Sequence, residues 1–267
     1  MAAHLVGQVG SQLGAWIYPL LFVAGIVVSF VNSISGGGSI LSIPLLIFLG
    51  LPAATANGTN RIGILLGSLS SLFAFRSRGI FLPRLAWRVG WPAVIGSFAG
   101  SLLAVGLSDR VFKPILAVVI LFVVVMTLRG HKANPALGQE PTLRGDLPAF
   151  LAYLGIGFYG GFIQAGSGLI MIYAFTTLGN LDIIRANALK VANTIIFIAV
   201  SLVTFAAAGR IDWPMAAALA AGNLVGGWAG SHWQVKQGEA WVNRFLLWSG
   251  AGVAGKLLWD AWRAWAA

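Results

Sequence analysis

Residues 32–61 read NSISGGGSILSIPLLIFLGLPAATANGTNR. Three consecutive glycines, Gly36, Gly37 and Gly38, interrupt an apolar run, flanked by Ser35 and Ser39. The stretch closes on a polar cluster, Asn57, Gly58, Thr59, Asn60 and Arg61. The next segment, IGILLGSLSSLFAF, is apolar enough to lie in lipid. An arginine and two asparagines at the head of such a segment are costly to bury, and inside a membrane they mark a functional path. A related stretch, QAGSGLIMIYAFTTLGNLDIIRANALKVAN, occupies residues 164–193 and carries Gln164, Gly166, Ser167, Gly168, Asn187, Lys190 and Asn193. The two stretches are expected to face each other across one anion site.

Working outward, apolar length marks the spans at about 20 residues per crossing. They fall near 16–34, 54–75, 89–107, 111–128, 147–163, 184–208, 213–233 and 241–262, with short runs at 40–51 and 169–178. The short runs hold about 11 residues, too few to cross a core of about 30 Å at 1.5 Å per residue. Each glycine break therefore reads as the tip of a hairpin of partial helices, since glycine permits the tight turn. Non-helical backbone at membrane depth survives only where protein or a watery cavity surrounds it.

The halves repeat at an offset of 130 residues. Gly36 matches Gly166, Gly38 matches Gly168, Ala56–Asn57 matches Ala186–Asn187, Gly79 matches Gly209, and Gly96, Gly100 and Ser101 match Gly226, Gly230 and Ser231. The basic loop holding Arg76, Arg78, Arg84 and Arg88 is expected on the cytoplasmic side. Its mate holds only Arg210 and Asp212. One loop basic and its mate neutral is the pattern of halves with opposite topology. The predicted fold is all-α: two inverted repeats of about five segments, 16–129 and 147–265, joined by a cytoplasmic linker, 130–146. Their glycine-broken hairpins should meet near the midplane, a recurring transporter design. Both termini then fall on the non-cytoplasmic side.

Composition agrees. Hydrophobic residues are 58% of the chain and charged residues 9%, against about 25% charged in soluble domains. The net charge of +10 follows topology, and no polar domain presents a nucleic-acid surface. There are no cysteines, and His4, His131 and His232 lie too far apart for a metal site. The first residues lack a basic n-region, so no cleavable signal peptide is expected. Eleven tryptophans cluster near span ends as an interfacial belt.

The chemistry follows from what is present and what is missing. A helix beginning after SGGGS or AGSG aims free N–H groups and a positive dipole end inward, an arrangement suited to anions. Ser35, Ser39 and Ser167 add hydroxyls, and Gln164 an amide. Asn57 and Arg61 are spaced i, i+4, and Asn187, Lys190 and Asn193 i, i+3, i+6, so each set is expected roughly on one helical face. Close helix packing by the glycines and interfacial snorkelling by the cations are the plainer alternatives. Asp109, Glu140, Asp146, Asp182, Asp212, Glu239 and Asp260 all fall in loops or near span ends. Cations, amides and helix N-termini without acids suit a small anion. GSGL at 166–169 has no histidine placed to activate Ser167, so neither catalysis nor a cofactor or metal is expected.

SGGGSILSIPLLIFLGLPAATANGTN with SSLFAFRSRGIF, and GFYGGFIQAGSGLIMIYAF with RANALKVAN and GRIDWP, resemble the two halves of the TauE/SafE family. The resemblance covers about residues 16–260. It implies a multi-pass inner-membrane transporter exporting sulfite or a related sulfur-containing anion. Import of sulfonate, sulfate or thiosulfate, and a membrane scaffold without transport, are the alternatives. The expected partners are the anionic substrate and membrane lipid, with a homodimer as the candidate assembly and no nucleic acid.

Overall fold

Glycine, proline and aspartate punctuate the chain into nine helices among the described residues. The structure is a computed structural model that describes residues 14–128, 146–177, 179–237 and positions 248, 255 and 259. In chain order the helices are α1 Ile17–Ser35, α2 Ser39–Phe48, α3 Ala53–Arg76, α4 Pro83–Gly106, α5 Asp109–Leu128, α6 Leu147–Phe162, α7 Ser167–Thr177, α8 Ile183–Ala207 and α9 Trp213–Gln237. No strand occurs among the described residues. Most of the linker and the last expected span, 241–262, lie outside them.

The helix ends have local causes. Gly36, with φ 78, ends α1, and its N–H bonds to Asn32 O at 2.9 Å. Asp146, Asp182 and Asp212 accept N–H bonds from the first turns of α6, α8 and α9. Asp109 serves α3 from outside, accepting from Ala53 N at 2.9 Å. Each such cap is worth about 1 kcal/mol. The four described carboxylates thus all sit at helix N-termini. α4 begins at Pro83, six residues before the apolar run at Val89, so Arg84 and Arg88 lie on a helix and not in a loop. The cause is proline's suitability for a first helical turn.

The 130-residue offset persists in backbone geometry. Helix starts Ile17 and Leu147, Ala53 and Ile183, and Pro83 and Trp213 keep it. So do left-handed positions: Gly36 and Gly166 (φ 78 and 72), Gly50 and Asn180 (109 and 51), Gly79 and Gly209 (72 and 64). α2 and α7, at 10 and 11 residues, reach only about 15–17 Å at 1.5 Å per residue.

Packing exchanges partners between the halves. α1 packs on α9 and α4 on α6, α3 contacts α9 and α8 contacts α4, and α3 meets α8 at the centre. Small residues allow this closeness. A Cβ on Gly222, Gly226 or Gly230 would stand 1.9, 2.1 or 2.6 Å from the carbonyl oxygens of Phe22, Ile26 and Phe30 on α1. Gly157 and Gly161 of α6 meet Ala93 O and Ser97 O of α4 as closely. In lipid, such van der Waals contact replaces the hydrophobic drive between helices.

Gly226→Ala should therefore lower stability by about 3 kcal/mol or more, since the facing atom is backbone that cannot move alone. Gly155→Ala meets nothing within 4 Å. It should be neutral or stabilising by up to about 1 kcal/mol. Thermal unfolding of both variants in detergent checks the contrast.

Candidate functional site

The two glycine breaks touch. A Cβ at Gly36 would lie 2.4 Å from the carbonyl carbon of Gly168, and one at Gly168 2.5 Å from Gly36 O. No side chain fits between the segments. Across the first break Ile40 N bonds Gly37 O at 3.0 Å and Leu41 N bonds Gly38 O at 3.0 Å, so α2 starts at once. Gly38 packs under Val28 O and the Asn32 side chain. In the second break Ser167 N bonds Gln164 O, and Leu169 N bonds Gly166 O, each at 3.0 Å. Gly166 faces Val123 of α5.

Both interrupted helices, α1 and α6, end here; Asn32 O keeps a donor in Gly36 N, but the last carbonyls beyond it, and those of Gly160, Gly161 and Phe162, have no helical successor. Each is served by the other half. Arg61 of α3, fully buried, donates from Nη1 to Gly160 O at 3.1 Å and from Nη2 to Gly161 O. Asn57 Nδ2 donates to Phe162 O at 2.7 Å. In the mirrored arrangement Lys190 of α8, 1% exposed, donates from Nζ to Asn32 O at 2.6 Å and Ser33 O at 3.4 Å. Asn187 Nδ2 donates to Ile34 O at 3.0 Å. The asparagine oxygens accept from the cations, Lys190 to Asn187 at 2.7 Å and Arg61 to Asn57 at a long 3.5 Å. Cations at helix C-termini also offset the negative dipole end.

Arg61 is further held by Ser201 Oγ at 2.7 Å and by the Phe205 ring, 4.4 Å from its Cζ. Its partners are neutral oxygens and a ring face, and its Nε has none. Asn60, the repeat mate of Lys190, accepts from Ser42 Oγ at 2.6 Å and leaves Nδ2 unmatched. Gln164 is 2% exposed, with both amide atoms unmatched. Ser35 Oγ turns back to Val31 O, while Ser39 and Ser167 open α2 and α7.

Two expected residues stand elsewhere. Thr59 Oγ1 accepts from Asp212 N at 2.9 Å, tying α3 to the loop before α9. Asn193 faces α4, where a Cβ on Gly90 would lie 3.3 Å from its Oδ1. Ser42, Ser201, Phe205 and Gln234, whose Nε2 reaches Ile34 O at 3.4 Å, were not expected. Apart from the polarity of Gln234 and Ser42 inside apolar runs, no local signal marks them.

Polar groups thus line the interior, while apolar side chains cover the outside. Phe73 and Trp87 are each 68% exposed, with Phe98, Leu102, Phe122 and Val203 also exposed. α1 with its leading turn, α4 and α8 are long and apolar enough to cross a membrane. The family described as sulfite exporter TauE/SafE matches residues 21–257. The chain belongs to the TauE/SafE family of membrane transporters.

Relatives are similar over nearly their whole length. A Haemophilus influenzae "probable membrane transporter protein" is 31% identical over 93% of this chain and 97% of its own. The Escherichia coli K12 "probable membrane transporter protein YfcA" is 28% identical, covering 91% and 90%. A Sinorhizobium "probable membrane transporter protein ORF9" is 26% identical, covering 93% and 95%. No solved structure matches. As a TauE/SafE transporter this is a multi-pass membrane protein, and its exposed aromatic and aliphatic face has the character lipid contact requires. An apolar groove of about 640 Å³ between α4 and α8, lined by Phe98, Leu102 and Val203 among others, belongs to that outer face and not to the polar centre.

If Arg61 holds the end of α6, Arg61→Leu should lower stability by about 3 kcal/mol or more, because two buried carbonyls lose their donors. Ser201→Ala should cost about 1 kcal/mol. Equal unfolding temperatures for wild type and Arg61→Leu in detergent would reject the capping role.

Proposed function

We propose that this TauE/SafE transporter exports sulfite or a related small sulfur oxyanion across the cytoplasmic membrane. One observation carries the reading: a fully buried arginine whose partners are all uncharged, in a centre from which every described carboxylate is absent. A buried charge is costly without a counter-charge, and an anionic substrate supplies one. Buried donors without a partner, Arg61 Nε, Asn60 Nδ2 and Gln164 Nε2, suit an acceptor-rich ligand. The first turns of α2 and α7, from Gly37 to Ser39 and at Gly166 and Gly168, add N–H groups and two positive dipole ends. The family's description as a sulfite exporter supports both substrate class and direction.

In this reading the chain is two inverted halves, 16–129 and 147–265, joined by a cytoplasmic linker at 130–146. The breaks lie near the membrane midplane, and the Arg76–Arg88 region faces the cytoplasm. Ser35, Ser39, Asn57, Ser167, Asn187 and Lys190 complete the substrate path, with Asn57, Asn187 and the cations shaping it from behind.

The described acids cap helices at their N-termini, so none is placed to carry a coupling proton through the centre. The driving force is then the membrane potential with the substrate's own gradient. Expelling one negative charge gains about 2.3 kcal/mol per 100 mV. At about 1.4 kcal/mol per tenfold, that sustains a gradient of about fortyfold. Proteoliposomes with a clamped potassium-diffusion potential test this, comparing sulfite, sulfate, thiosulfate and methanesulfonate. Sulfite flux should follow the imposed voltage in sign without a proton or sodium gradient. Flux that ignores voltage, or requires such a gradient, defeats the uniport reading.

A further inference from the structure

Gln164 carries a feature that a simple anion site leaves unexplained. Its side chain is buried, and neither Nε2 nor Oε1 has a hydrogen-bond partner. Which way the amide is turned does not matter, since both ends are unmatched. Each unmatched buried group costs about 1–3 kcal/mol. A methionine of similar shape would avoid that cost.

The backbone adds to it. Gln164 has φ 62, a left-handed conformation that costs a non-glycine residue about 1 kcal/mol or more. The junction between α6 and α7 enforces it. Gln164 N bonds Tyr159 O at 3.3 Å, Gln164 O accepts from Ser167 N, and the Tyr159 hydroxyl donates to Ala165 O. A long amide is therefore fixed, under strain, three residues before α7 begins. It follows closely on the Gly160 and Gly161 carbonyls that hold Arg61.

The chemistry of the leftover atoms is the clue. Asn60 Nδ2 and Arg61 Nε are donors, but Gln164 offers a donor and an acceptor. A fully ionised oxyanion only accepts. It would match Nε2 and leave Oε1 facing negative charge. A singly protonated oxyanion accepts from Nε2 through one oxygen and donates its own O–H to Oε1. We propose that Gln164 is a specificity-determining residue that selects the singly protonated monoanion of the substrate by accepting a hydrogen bond from its hydroxyl at Oε1. This rests on the anion-transport reading above and names the ionic form that the same site takes. Hydrogen sulfite is the form of sulfite that fits.

Methanesulfinate separates the possibilities, because a methyl group stands where the O–H form of hydrogen sulfite has its hydroxyl. In proteoliposomes at fixed potential and limiting substrate, the wild-type protein should carry hydrogen sulfite about tenfold or more faster than methanesulfinate, as a site built to bond a hydroxyl rejects its methyl analogue. Gln164→Met should bring the ratio to within about threefold, because hydrogen sulfite loses both bonds to the amide and methanesulfinate only one, so hydrogen sulfite flux falls further. A wild-type ratio near one overturns the proposal however the variant folds. So does a ratio that survives in a folded Gln164→Met protein. If the wild type carries both anions equally, transport stands and only the role of Gln164 falls. If it carries neither, the transport reading fails and takes this proposal with it.

Discussion

Peptide groups at the end of a helix that stops inside a buried interior have no water to turn to, and the architecture depends on how they are matched. α1 and α6 both stop at a glycine-rich break. Their last carbonyls receive an amide and a cation from the opposite half: Asn187 and Lys190 for α1, Asn57 and Arg61 for α6. Charge-assisted bonds of this kind are worth about 1.5–3 kcal/mol each. The exposed pair Lys113–Asp109, at 3.1 Å, is worth about 0–1 kcal/mol. The polar heads of α3 and α8 are thus structural before they are anything else. By offsetting the negative ends of α1 and α6, they leave the positive ends of α2 and α7 as the dominant field where the breaks touch.

Much of this frame was legible because its signals are local. Glycine-rich breaks, apolar run length and proline or aspartate at first turns predict where helices begin. The 130-residue register predicts that left-handed turns recur, down to Asn180 standing where the first half has Gly50. The destinations of Arg61 and Lys190 were not legible, because their partners are backbone oxygens about 100 and 158 positions away. Sequence showed two cations at one depth. It did not show that each reaches across to cap the other half's helix. Ser201 and Phe205 escaped notice for the same reason, being ordinary residues of an apolar helix until Arg61 arrives.

Asn193 shows the limit of counting along a helix. Three and four residues on, a side chain returns to nearly the same face. Six residues on, at about 100° each, it has turned well past it. Asn187 and Lys190 therefore reach α1 together, while Asn193 looks toward Gly90 on α4. Thr59 departs likewise, binding the loop before α9 while its neighbours Asn60 and Arg61 face α2 and α6.

The exchange of partners, α1 with α9 and α6 with α4, also bears on how the protein is made. When synthesis has passed Leu128, the membrane holds α1 and α4 with neither of their close-packed mates, and glycine-lined contact waits for residues still in the ribosome. α1 must keep its bare carbonyl end compatible with lipid or with a chaperone until Lys190 emerges. The contact therefore closes late, and a defect near residue 226 unsettles a helix made at the start of translation.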